Sequence, residues 1–293
     1  MPATVACIAG EEIHRQWDAG RIEGERVGSR TTPFGPSGEA FLVRDDDVSY
    51  YLMPRYGSGL AKTAPCRISD RANLYALKDL GAEYVLAWGA GGAITHNIAV
   101  GDLVILSDLI DMTYLREKTF FTDSPLGYLR QFPVFCPTLR RAAGQTLHEM
   151  KLVYHGSGTA VVCEGPRLET PAEIRMFGTV GGEVVTHSFV PEAFLAKELE
   201  LCYAAICYVV NYAEMGSRQR PFRPGSLFGP LGEQSDTERL AGVVGAVSQI
   251  VRHLAATLGQ AERTCDCAKT MADHVRRYGL SADWHEWFDG TSP

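Results

Sequence analysis

The sequence contains no apolar run that approaches the roughly 18 residues needed to cross a bilayer; its longest candidate, LCYAAICYVV, is far too short. It has no surplus of basic charge, since 35 Asp and Glu outnumber 28 Lys and Arg and leave a formal charge of -7. Nucleic-acid binders carry a basic face or stripe, so that class drops out and a small-molecule partner is expected. Low-complexity tracts, internal repeats and linkers are lacking, and 45% hydrophobic with 22% charged residues is ordinary for a folded chain. Cysteine is too sparse for a disulfide scaffold, at eight in 293 residues. Cys7, Cys163, Cys202 and Cys207 lie inside apolar runs, where cysteine serves as a small core hydrophobe. Cys265 and Cys267 form a C-x-C, either a strained disulfide or two thiols, and no His or Cys stands at zinc spacing around them, so no metal is expected. The first residues, MPATVACIAG, lack a basic n-region and run into Glu11 and Glu12. They read as a buried first strand rather than a signal. A cytoplasmic protein without membrane partners is the expectation.

Apolar runs of strand length recur: TVACIAG (4–10), EYVLAWGA (83–90), LVILSDLI (103–110), TAVVCEG (159–165), EVVTHS (183–188) and CYAAICYVVNY (202–212). Runs apolar on both faces belong in the middle of a sheet. Helical patterns lie between them: RANLYALKDLGA, with Leu74, Leu77 and Leu80 on one face and Gly81 as a stop, then CPTLRRAAGQTLHEMK, TPAEIRMF, VPEAFLAKELE and the long SDTERLAGVVGAVSQIVRHLAATLG. FLVRDDDVSYYLMPR reads as a hairpin turning at Asp45–Asp47, and VGSRTTPFGPSGEA before it as a surface loop over a site. Alternating strands and helices predict an α/β sandwich around a largely parallel sheet, with one domain favoured over two.

Ligands of such sheets collect beyond the strand C-terminal ends. Five ends carry unusual residues: AGEE (9–12), GAGGAI (89–94), EGPRLET (164–170), HSFVPE (187–192) and VNYAE (210–214). GAGGAI has neither G-x-G-x-x-G spacing nor a GK[ST] P-loop, which disfavours dinucleotides and ATP. Its small residues, Ala90 and Gly91 among them, instead let a flat ligand approach the backbone. Glu164 and Arg167 fit a helix-cap and ion-pair role as readily as a ligand role. A lone His187 is ordinarily structural, and so are His14, His96, His148, His155, His253 and His274. Asn211 ends an apolar run, where a buried amide must find partners and a ligand edge can supply them.

Seven segments occur in one order: TPFG (32–35), RANLYALKDLG (71–81), GDLVILSDLIDMT (101–113) with KTFF (118–121), EGPRLETPAEIRMF (164–177), VPEAFLAKE (190–198) and CDC (265–267). In that order the chain resembles the methylthioadenosine phosphorylases and trimeric purine nucleoside phosphorylases over essentially all of 4–267. The resemblance implies a single α/β/α domain over 1–293, built on a mixed, mostly parallel sheet with its core in 4–267 and a helical extension in 268–293. It also implies a homotrimer that cleaves a purine nucleoside to free base and sugar 1-phosphate, with phosphate as co-substrate and no other cofactor. It places the purine-contacting position at Asn211 and a second position at Ala213. An Asn-and-Ala pair, in place of the usual two aspartates, resembles the branch that takes 6-oxopurine nucleosides such as methylthioinosine.

Several positions depart from the family pattern. Leu168 stands where a Phe stacks on the base, and His187 where a Met lies beside the ribose. The anion positions implied by the resemblance are Arg55, Tyr56 (for a His) and Ser188, while Gly89 replaces a Thr and Glu11 a small hydroxyl residue. A carboxylate about 4 Å from a phosphate dianion is repelled by about 1 kcal/mol or more. AGEEI also resembles the first loop of methylthioadenosine/adenosylhomocysteine nucleosidases, in which a glutamate positions the attacking water, a role open to Glu11 or Glu12. The expected catalytic residues are therefore Asn211 and Glu11. The expected substrate-binding residues are Ala90, Gly91, Glu164, Leu168, His187 and Ala213. Hydrolysis, a different reaction on a nucleoside-like substrate, and purine binding without turnover remain alternatives to phosphorolysis.

Overall fold

The computed structural model describes residues 3–57, 63–213, 234–259 and 263–288. In chain order its elements are β1 (Val5–Ala9), α1 (Glu11–Asp18), β2 (Glu25–Gly28), β3 (Thr31–Thr32), β4 (Gly35–Pro36), β5 (Ala40–Asp45), β6 (Val48–Pro54), α2 (Asp70–Asp79), β7 (Tyr84–Ala93), β8 (Leu103–Ile105) and β9 (Asp108–Met112). There follow α3 (Pro137–Glu149), β10 (Tyr154–His155), β11 (Thr159–Cys163), α4 (Pro171–Thr179), β12 (Val184–Thr186), α5 (Glu192–Glu198), β13 (Cys202–Tyr212), α6 (Gln234–Gly245), α7 (Val247–Leu258) and α8 (Ala272–Tyr278).

Eleven strands form one mixed sheet, β10-β8-β13-β7-β1-β6-β5-β2, with β12 joining β7 and continuing to β11 and β9. The central neighbours β6, β1, β7 and β13 run parallel. Their apolar side chains alternate between two cores, as a strand period of two requires. Val5, Cys7 and Ala9 of β1, with Tyr84, Leu86 and Trp88 of β7, pack against α3 and α7. Ala6 and Ile8, with Val85 and Ala87, face the opposite core, where Leu74 and Leu77 of α2 and Leu195 and Ala196 of α5 meet them. Helices therefore cover both sheet faces, as expected. The C-terminal segment adds Met271, Trp287 and Phe288 to the second core.

Local signals account for most boundaries. Gly81 takes φ +95° just after α2, a conformation that glycine adopts without strain. Thr170 and Glu173 form a reciprocal capping box on α4. The β5–β6 hairpin turns at Asp46 and Asp47, with Asp45 opposite Val48.

Three expectations are corrected. LVILSDLI is two strands, because at Ser107 the chain changes partner: the Leu106 amide donates to Ala205 O (3.0 Å) and the Ser107 amide to Gly158 O (2.9 Å). The long C-terminal helix is broken at Ala246 into α6 and α7, bent by 40°. No single helix among the described residues is long and apolar enough to cross a membrane; α6 and α7 together pass that length-and-composition test, but α7 buries Val247, Ile250, Val251, Leu254 and Leu258 in the protein core. The VGSRTTPFGPSGEA loop does not line the main cavity. It docks on α2, through Gly38 N to Asn73 Oδ1 (2.7 Å) and Phe34 packed edge-on against Tyr75 and Phe120.

Candidate active site

All five unusual strand ends converge on one cavity of about 690 Å³, within the size range of small-molecule sites. Gly10 and Glu12 come from the end of β1, and Gly89 to Gly92 from β7. Pro166, Leu168 and Glu169 follow β11, Thr186 ends β12 with His187 and Ser188 after it, and Val210 and Asn211 end β13 with Ala213 just beyond. Leu240 and Val244 of α6 close one side.

Asn211 reaches this cavity because β13 is irregular. Val209 pairs with Gly91, but Asn211 pairs with Gly92, so Val210 is an extra residue in the ladder. In a regular register Asn211 would fall opposite Ala93, which belongs to the apolar core. The bulge instead returns Asn211 to the side of Tyr208, as bulges beside functional sites do. A Cβ on Gly92 would lie 2.9 Å from Asn211 Oδ1, so the absence of a side chain there makes room for the amide. Among the described residues the Asn211 side chain has no hydrogen-bond partner, and Ala213 beside it leaves space.

At the β1 end the buried acid is Glu12, 2% exposed. Its Oε1 accepts from the Gly10 amide (2.9 Å) and its Oε2 from the Tyr208 hydroxyl (3.2 Å). Burial pushes its carboxyl above the ordinary range, against the opposing pull of backbone amides, Arg55 and Tyr208. Glu11 is the first residue of α1, and its side chain lies outside the described residues. The expected acid of this loop is thus accompanied by a neighbour whose geometry is defined.

Arg55 lines the cavity, but its donors are engaged. Nε and Nη2 bond the two oxygens of Glu192 (2.5 and 3.2 Å), Nη1 bonds Trp88 O (2.8 Å), and Nη2 also approaches Ile8 O (3.3 Å). Tyr203 donates to the same Glu192 carboxylate (2.8 Å). The pair is buried at both ends, so its net charge toward the cavity is close to zero. Tyr56 and Ser188 place their hydroxyls 3.4 Å apart on the same wall. A side chain at Gly89 would start 2.8 Å from the Phe189 ring, which fills the place of a hydroxyl residue.

His187 Nε2 lies 3.0 Å from Glu169 Oε1, and both line the cavity. The only sequence signal for Glu169 is its place as an acid in EGPRLET two residues before a proline. Thr186 Oγ1 donates to Ala90 O (2.7 Å) and accepts from the Ser188 amide (3.2 Å), which fixes the β7 and β12 ends together. Leu168 lines the cavity with 44% exposure.

Glu164 does not line the cavity, contrary to its expected substrate role. Its carboxylate accepts from the Tyr114 and Leu115 amides (2.7 and 2.9 Å) and from Arg116 Nε (3.1 Å). Burial raises its pKa, but those donors outweigh burial and hold the carboxyl below the ordinary value. Arg116 continues to the carbonyls of Cys163, Glu164 and His187, so the pair buttresses the loop that carries Leu168 and Glu169. Arg167 is exposed and paired with Glu173 (2.6 Å).

Residues 63–251 match the family model described as the phosphorylase superfamily. The chain is 40% identical over 209 residues to a probable S-methyl-5'-thioinosine phosphorylase of Methanothermobacter thermautotrophicus, covering 71% of each. It is 38% identical over 199 residues to a 6-oxopurine nucleoside phosphorylase of Pyrococcus furiosus, covering 65% of this chain and 74% of that protein. Its backbone superposes with a TM-score of 0.80 on methylthioadenosine phosphorylase from Schistosoma mansoni in complex with tubercidin, at 25% identity and over 94% of this chain and 98% of the other.

Proposed function

The chain belongs to the phosphorylase superfamily, and from that membership we propose that it cleaves the N-glycosidic bond of a purine nucleoside, with 6-oxopurines as the preferred bases. Asn211 carries this reading. It stands over the glycine floor of Gly91 and Gly92 with no partner among the described residues. Its amide can donate to O6 or N7 of a 6-oxopurine, where negative charge grows as the bond to the sugar breaks. Ile174, Val185 and Leu168 supply apolar surface for the base, and the His187–Glu169 pair supplies hydrogen bonds on the sugar side. Two relatives named for 6-oxopurine and thioinosine substrates support the same preference.

Phosphorolysis is the reaction named for the relatives, and phosphate is the only co-substrate proposed. One observation favours hydrolysis as a second reading: a buried carboxylate, Glu12, occupies the end where an anion would sit, while the nearby arginine is neutralised by Glu192. A carboxylate there can orient and deprotonate water on the face opposite the leaving base. Incubation of inosine, methylthioinosine and methylthioadenosine with and without phosphate separates the readings. Free base with sugar 1-phosphate supports the first, free base with free sugar supports the second, and absence of free base in all arms overturns both.

We also propose a single-domain, cytoplasmic protein assembled as a homotrimer. The segment after β9 exposes Tyr114, Leu115, Tyr128 and Phe132, the last by 91%, apolar side chains that a neighbouring copy would cover. Light scattering at micromolar concentration should give the mass of three 32.0 kDa chains; a single-chain mass overturns the assembly.

A further inference from the structure

Far from the cavity, four thiols converge. Cys136 caps the N-terminus of α3, Cys202 opens β13, and Cys265 and Cys267 stand in the segment after α7. Their sulfurs all lie within 4.8 Å of one another. Cys265 Sγ is 3.6 Å from Cys136 Sγ and 3.3 Å from Cys202 Sγ, and none of the four is bonded to another. The C-x-C pair, expected from sequence spacing to lack partners, is supplied with two by the fold, from 129 and 63 residues away.

We propose that Cys136, Cys202, Cys265 and Cys267 form a tetrathiolate site for one structural zinc ion. Zinc–thiolate bonds are about 2.3 Å, which sets the edge of a regular ZnS₄ tetrahedron at about 3.8 Å; the separations of 3.3 and 3.6 Å lie just short of that edge, and every pair falls within 4.8 Å. The ligand set is closed, with no position for water or substrate, as in structural rather than catalytic zinc sites. The surroundings suit an anionic cluster. The Leu139 amide points at Cys136 Sγ (3.4 Å), and Arg263 Nη2 lies 3.3 Å from Cys202 Sγ. Such outer donors stabilise thiolate charge and fix ligand orientation. Cys136 and Cys202 are buried while Cys265 and Cys267 are half-buried, so an ion has a route of entry. On binding, each thiol that is still protonated releases its proton to solvent as its sulfur bonds the metal, with no change of oxidation state.

The consequence is mechanical. The site would tie the segment that carries α8 and the Trp284–Phe288 turn to the start of β13 and to α3. β13 runs from this cluster to Asn211, roughly 30 Å away at the ordinary rise per strand residue, so the ion acts on stability and leaves the cavity chemistry alone. This inference is independent of the reaction proposed above.

The full-length chain, purified reduced and treated with zinc alone, should retain one zinc per chain after desalting. Replacement by cobalt should give the intense visible bands and sulfur-to-cobalt charge transfer of a tetrahedral thiolate site. Both signals should be lost in Cys265→Ser/Cys267→Ser, and a chelator should lower the melting temperature of the parent chain but not of this variant. If the variant fails to fold, the cobalt spectrum of the parent decides. Reduced protein that retains no zinc, a cobalt spectrum without thiolate charge transfer, or a native intact mass showing these cysteines paired as disulfides overturns the proposal.

Discussion

Tyr208 donates its hydroxyl to Glu12 across 3.2 Å and 196 residues of chain, joining the end of the first strand to the last strand of the sheet. Tyr208 also stacks on Trp88, with ring centroids 5.4 Å apart. The carboxylate is thereby held at the cavity wall by two elements that cannot move independently of the sheet, three residues along β13 from Asn211. A single rigid frame thus positions both the acid and the amide.

Glu12 is the first residue to test. If its carboxylate serves as base, Glu12→Gln should lower kcat by about 10²- to 10⁴-fold while hypoxanthine affinity changes less than about threefold. The ionised form is the active one, and burial raises the pKa, so the acid limb of the wild-type rate profile should lie above the ordinary carboxylate range. The limb should vanish in the variant. A kcat within tenfold of wild type removes Glu12 from the chemistry, and Glu11→Gln measured beside it assigns the role between the two acids.

Asn211→Asp should invert base preference. A carboxylate repels O6 but accepts from N6, so the ratio of kcat/KM for inosine-type over adenosine-type substrates should fall by about 10- to 100-fold, or about 1–3 kcal/mol. An unchanged ratio refutes the assignment of Asn211 to the base edge.

Phosphate should bind weakly. With Arg55 committed to Glu192 and Glu12 on the same wall, a dissociation constant in the millimolar range or poorer is expected, equivalent to about 4 kcal/mol or less. Isothermal titration or the phosphate KM measures it; micromolar binding would show that the anion recruits donors from elsewhere.

Arg55→Ala should act on stability. It leaves Glu192 buried without its cation, and breaking a buried pair in this way costs about 3–5 kcal/mol. Urea denaturation gives the value. A loss below about 1 kcal/mol, with activity specifically impaired, would return Arg55 to the list of anion ligands.

Glu198 provides a pH signature. Burial pushes its carboxyl up to about 7, although Thr119 Oγ1 and the Phe120 amide donate to it. A raised carboxyl favours folding fully below the unfolded value near 4.5 and loses that contribution as pH rises through about 7. Stability should therefore fall between pH 4.5 and 8 by up to about 3 kcal/mol, and Glu198→Gln should flatten the profile in that window. An equally steep profile in the variant would assign the slope to another group.

The sequence shows the architecture and the five strand ends because each rests on local patterning: two-faced apolar runs, caps such as Thr170–Glu173, and small residues at the end of β7. What it conceals depends on partners far away in the chain. Nothing in CYAAICYVVNY marks Val210 as the residue that drops out of register, yet that bulge decides which side Asn211 faces. Glu164 and Glu169 are equally polar in EGPRLET, but only Arg116, 48 residues upstream, distinguishes scaffold from cavity wall. Arg55 reads as a free cation until Glu192 is placed beside it, 137 residues on.

The break at Ala246 separates two tasks that the sequence writes as one helix. α7 belongs to the core, whereas α6 meets the cavity through Leu240 and Val244. Val243 of α6 is buried with α7, so the exchangeable wall is confined to Leu240 and Val244, half-buried beside the cavity. A library confined to those two positions could resize the cavity for bulkier nucleosides while the sheet, the bulge and the Glu12–Tyr208 contact stay unchanged, which makes α6 the natural segment for redirecting this scaffold.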